Sequence, residues 1–93
     1  MASRMGRDEI IRTIQEAGRQ RKVLWIRAME TDGSIEPREC EPYSFRPKGT
    51  EKRFFFYCYL RNATRNFLVD NILEVRITDK TYVPRYEVEF FMQ

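Results

Sequence analysis

Thirteen of the seventeen basic residues are arginine, and they are interleaved with aromatic side chains. Arginine carries a planar, permanently charged fork that matches phosphate or carboxylate and stacks on rings. In a strand, residues two apart point to the same side. Trp25 and Arg27 would therefore share a side, as would Arg53, Phe55, Tyr57 and Tyr59, and further on Arg65, Phe67 and Val69. A mixed face of this kind can stack bases on rings while arginines hold phosphates. Phe54, Phe56, Cys58 and Leu60 fall on the opposite side and read as core. Trp25 and Phe67 also read first as core, whereas the amphipathic Tyr57 and Tyr59 suit either role. The pattern points to an anionic ligand, nucleic acid or nucleotide, with Arg27, Arg53 and Tyr57 among its candidate contacts.

The same residues speak against catalysis. There is no histidine and no Cys-x-x-Cys pair, so neither a zinc site nor a histidine base is expected. No glycine-rich phosphate loop or serine nucleophile motif occurs. Glu36, Glu39 and Glu41 are the densest carboxylates, but alternation splits them between two strand faces. No enzyme activity, cofactor or metal is expected. Cys40 and Cys58 are too few for a disulfide framework, and two buried free thiols fit a reducing cytoplasm. No apolar run approaches the roughly 20 residues of a membrane span, and Met1 to Arg7 lacks the apolar core of a signal peptide. The expectation is a cytoplasmic protein with no membrane partner.

Charge is unevenly placed. The formal net charge is +3, mild enough that distribution matters more than the total. Residues 1–29 and residues 38–65 each carry seven basic and three acidic groups. Residues 30–37 and 66–93 are net acidic.

The elements that must position these residues are short. A chain of 93 residues, 42% hydrophobic and 14% aromatic, can build one compact core. Residues 1–7 read as a flexible basic start and residues 8–93 as a single domain. Ile10, Ile14 and Ala17 recur at helical spacing over 8–19, with Asp8 and Glu9 at the dipole-favoured end and Gly18 as the stop. Strand patterns follow over 22–30, 34–42, 53–61, 65–70, 73–78 and 86–91, with 43–45 a short continuation beyond Pro42. They are separated by turn signals at Asp32-Gly33, Pro47 to Thr50, Asn62 to Thr64 and Asp79-Lys80. One helix followed by five or six short strands predicts a mainly β domain, most simply a small barrel.

In order and spacing, residues 8–86 resemble the WYL domain, a bacterial ligand-sensing module. The helix and basic turn, Ile10 to Lys22, come first, then the strand Val23 to Met29 and the turn Asp32-Gly33. Arg38-Glu39-Cys40-Glu41-Pro42 matches the family's Arg-x-x-x-Pro element. Arg53-Phe54-Phe55-Phe56-Tyr57 lies where the Trp-Tyr-Leu signature falls. Arg65-Asn66-Phe67-Leu68-Val69-Asp70-Asn71-Ile72 matches the Arg-x-Phe-x-Leu-Asp-Arg-Ile element. The chain departs from the family at the naming triplet, Phe54-Phe55-Phe56, at Arg27 in place of a tyrosine, and at Asn71 in place of an arginine.

The resemblance implies an Sm-like, Src-homology-three-like barrel with a positively charged groove for nucleic acid or a nucleotide-like ligand. It makes Arg38 and Arg65 the anchors, with no structural partner evident for either, and adds Asn71 as a polar contact. It implies a role in transcription regulation or phage defence, and a DNA-binding, helicase or nuclease protein as partner. The alternative is a protein-interaction or homodimerisation domain, motivated by the apolar end Tyr86 to Phe91, which could leave a strand edge exposed.

Overall fold

The computed structural model describes residues 4–90, apart from the side chain of Lys48. Helix α1 spans Arg7–Gln20 and buries Ile10, Ile14, Ala17 and Gly18 along one face. It does not stop at Gly18. Arg21 caps it instead, in the left-handed region at φ 55°. Gly18 is inside the helix because the Phe90 ring lies where a β-carbon would stand.

Five strands follow: β1 (Lys22–Ala28), β2 (Arg38–Lys48), β3 (Glu51–Cys58), β4 (Ala63–Leu68) and β5 (Ile72–Thr81). They form one antiparallel sheet in the order β4-β3-β2-β1-β5. A 3-10 turn, Val69–Asn71, joins β4 to β5. The expected segments 34–42 and 43–45 are one strand. β2 passes Pro42 at an irregularity in register between Pro42 and Ser44, the kind of place where a missing N–H is tolerated. Asp79-Lys80 is not a turn, since β5 runs on to pair Thr81 with Lys22.

The sheet is curled over the helix but does not close into a barrel. β4 and β5 are its two edges and are not paired with each other. Among the described residues there is no strand after Thr81, which corrects the strand expected at 86–91; Phe91 lies outside the described residues. The segment crosses the sheet as a strap. The Glu89 amide donates to the Tyr43 carbonyl at 2.8 Å, and Phe90 enters the core with its ring centroid 5.1 Å from that of Phe45. The described part of the segment therefore offers no strand edge.

The core lies between α1 and the concave face, from Leu24, Ile26, Phe45, Phe54, Phe56, Phe67, Ile72 and Phe90. Cys40 and Cys58 are register partners on β2 and β3, both buried and both free. No described helix is long and apolar enough to cross a membrane.

Candidate anion-binding site

Alternation sends Arg38 to the core side of β2, in step with Cys40, and Arg65 to the core side of β4, in step with Phe67. Both stand at the rim of the core, where β1 gives way to the loop 29–37. The Arg38 side chain is 0% exposed. A buried guanidinium requires partners, and Arg38 has several. It donates to the Glu30 carboxylate, lies 3.4 Å from Glu36 Oε1 and 3.6 Å from Cys58 Sγ, and sits over the Phe67 ring at 5.3 Å. Arg65 is 35% exposed, with its Nη2 3.6 Å from Glu30 Oε1. Contrary to the sequence reading, both arginines have a structural partner, and it is the same one, Glu30.

A cavity of about 140 Å³ opens beside them, lined by Glu30, Arg53, Arg65, Asn66, Phe67 and Asn71 among others. Three of the six residues singled out from sequence thus meet here: Arg53, Arg65 and Asn71. Arg53 comes from the other side of the sheet, where its Nη1 donates to Asn66 Oδ1 at 2.5 Å. Arg38 lies behind the cavity, joined to it through Glu30 and Phe67. Arg53 and Asn66 also line a second, open hollow of about 480 Å³ with Arg46 and Phe55, so the cavity continues onto the outer face.

Arg27 and Tyr57 do not join this group. Arg27 lies 3.4 Å from Glu74 of β5. Tyr57 faces outward beneath Arg85, whose guanidinium carbon is 3.9 Å from the ring centroid. Arg85 in turn donates to Glu41 Oε1 at 3.0 Å. Glu41 is buried and accepts from the Tyr43 hydroxyl at 2.6 Å and the Tyr59 hydroxyl at 2.7 Å. Burial, and then the bond to Glu41, push both hydroxyls well above the usual tyrosine range. They stay neutral donors, and this network ties the strap to the sheet.

A further hollow of about 370 Å³ lies under the strap, lined by Tyr43, Arg46, Phe55, Tyr86, Glu87 and Glu89 among others. It is larger but net acidic: Arg46 is paired with Glu89 at 2.7 Å, and Glu87 adds a second acid. The small cavity has two arginines and one carboxylate on its wall, with Arg38 behind it held by Glu30 and Glu36, so it is the better anion site. Among the described residues no group of three or more Cys, Asp, Glu or His is placed to hold a metal ion.

Sequence reasoning missed Glu30 and Asn66. Glu30 had a signal, the stretch 30–37 that holds acids and no bases. Asn66 had none until the register placed it opposite Phe55 and beside Arg53.

The WYL domain family model matches residues 9–77, most of the chain. The chain belongs to the WYL domain family. Membership carries the family's coarse role, a regulatory module that senses a ligand. Among solved structures, the domain is similar to proteasome accessory factor B/C (PafBC) of Arthrobacter aurescens, with a TM-score of 0.76 and 19% identity. The match covers 85% of this chain and 13% of that one, so this WYL domain spans a small part of the length of that protein. At this identity the likeness is one of fold. No curated protein matches the chain. The family's signature triplet falls on β3, where Phe54 and Phe56 are buried and Phe55 faces outward. The arginine elements matched in the sequence lie on β2, behind the cavity, and on β4 with the 3-10 turn, which form part of its wall.

Proposed function

We propose that this WYL domain senses a nucleic acid or nucleotide-like anion, with Arg65 and Arg53 holding phosphate and Asn71 and Asn66 adding amide contacts. The observation that carries the reading is the meeting of Arg53, Arg65 and Asn71, from two strands and a turn, around one small cavity. A cavity of about 140 Å³ is below the usual range for a drug-sized ligand, about 300–1,000 Å³. It suits one phosphate or one base, with the rest of a chain ligand lying over Phe55 and Arg46 in the adjoining hollow. Arg38 acts in this reading as a positioning residue, holding Glu30 and Phe67 behind Arg65. Arg27 and Tyr57 lie off the path of a ligand that fills the cavity. The protein informed by binding would be a DNA-binding, helicase or nuclease partner, the company WYL domains keep.

Fluorescence anisotropy with labelled single-stranded oligonucleotides at low salt tests this. Hydrogen bonds to charged groups contribute about 1.5–3 kcal/mol each, or roughly tenfold or more in affinity. Arg53→Ala with Arg65→Ala should therefore weaken binding by about a hundredfold or more, while Arg27→Ala and Tyr57→Phe leave it unchanged. Absence of binding at low salt, or binding indifferent to the Arg53/Arg65 pair, would sink the proposal.

A further inference from the structure

We infer that the acidic loop between β1 and β2 is a built-in competitor for the arginine site, which restricts the ligand to polyanions with neighbouring phosphates. This rests on the anion-binding reading above and concerns the regulation of that same site.

Residues 30–37 hold three acids and no base, and the fold turns two of those acids onto arginines of β2, β4 and the β3–β4 turn. Glu30 accepts from Arg38 and lies 3.6 Å from Arg65. Glu36 Oε1 lies 3.4 Å from Arg38 and 3.0 Å from Arg61. The third acid, Asp32, is spent on the loop itself, accepting from the Ser34 amide at 2.9 Å and hydroxyl at 2.7 Å. Gly33 at φ 87° and a bridge between Met29 and Ile35 fold the loop back. Its residues 31–37 are exposed, yet the Glu30 side chain is only 15% exposed and forms part of the cavity wall.

The arginines differ in how they can be released. Arg38 is fully buried and needs Glu30 as its counter-ion. Arg65 is 35% exposed and Arg61 48% exposed, and each can exchange a loop carboxylate for a ligand oxygen while Glu30 stays on Arg38. A tethered carboxylate competes at an effective concentration in the millimolar range or above. A free monocarboxylate offers the same chemistry without the tether and loses. A phosphodiester chain gains from charge-assisted forks at more than one arginine and from counter-ion release, so it can win.

The test measures a fluorescein-labelled oligothymidylate by anisotropy against the wild type, Glu36→Gln, Glu30→Gln and Asp79→Asn. Asp79→Asn makes the same charge change at the far end of the β1–β5 ladder. Removing one exposed competitor pair should tighten binding by about two- to fivefold, so Glu36→Gln and Glu30→Gln tighten while Asp79→Asn stays near wild type. Glu36→Gln guards against misfolding, since Glu36 is 46% exposed. For Glu30→Gln, whose loss leaves Arg38 short of a counter-ion, inorganic phosphate should raise the melting temperature more than it does for the wild type. Wild-type binding with no tightening in Glu36→Gln and Glu30→Gln beyond Asp79→Asn overturns the competitor. Failure of every variant and the wild type to bind overturns the anion-binding reading itself.

Discussion

Arg38 and Arg65 share Glu30 but stand in different media. The Arg38 side chain is 0% exposed and also touches Cys58 and Phe67, whereas Arg65 is 35% exposed. Breaking a buried pair by removing one partner costs about 3–5 kcal/mol, because the other charge is left without compensation. Partly exposed pairs contribute about 0–1 kcal/mol. Arg38→Ala should therefore lower unfolding stability in urea by about 3 kcal/mol or more, and Arg65→Ala by about 1 kcal/mol or less. Arg38→Lys should not restore the loss, since an ammonium cannot reproduce a fork aimed at two carboxylates and a ring. Equal stabilities for Arg38→Ala and Arg65→Ala would show that Glu30 does not discriminate between them. The binding defect of Arg65→Ala should appear with the fold intact, which separates holding a ligand from holding the site.

At the scale of elements, the strap and the helix meet at a single glycine. Gly18 is buried in α1, and a methyl there would fall inside van der Waals contact of the Phe90 ring. Alanine in a helix interior is normally favoured over glycine by about 1 kcal/mol. Here Phe90 is 2% exposed and packed against Phe45 and Phe54, so it cannot swing clear, and overpacking typically costs about 1–3 kcal/mol. Gly18→Ala should lower the melting temperature, and Phe90→Leu in the same chain should recover part of it. A stabilising Gly18→Ala would mean that the strap does not seat as described. This contact also marks the boundary of what the sequence makes legible. The helix and β3 are readable because Ile10, Ile14, Ala17 and the alternating Phe54-Phe55-Phe56 repeat at the period of their own element. Phe90 is not, because the alternation of residues 86–91 mimics a strand and nothing local records that Gly18 waits for it. β2 looked like two pieces because Pro42 punctuates it, and only its pairing with β3 carries it through. In the site, Arg53, Arg65 and Asn71 could be picked out by residue type and family position. Glu30 carried only a regional signal, the acidic stretch 30–37, because its own role depends on a loop folding back onto strands not yet made.

For the whole molecule the question is whether the ligand meets a site or a surface. The formal charge is only +3, and the loop acids neutralise part of the basic block 38–65 by direct pairing with Arg38, Arg61 and Arg65. Attraction spread over the surface should therefore be weak at physiological salt, where the Debye length is about 8 Å. Binding to single strands loses affinity with salt at a log–log slope of about −0.7 per phosphate neutralised. If Arg53, Arg65 and the released Arg61 each take one phosphate, the slope for an oligothymidylate should be about −2.1, and about −1.4 in Arg65→Ala. Neutralising Arg76, which stacks on Trp25 on the outer face, should leave the slope unchanged. A wild-type slope of about −3 or steeper, insensitive to Arg65→Ala, would instead assign binding to the distributed arginine surface. The cavity would then be a structural feature of the β1–β2 loop rather than the place where the ligand is read.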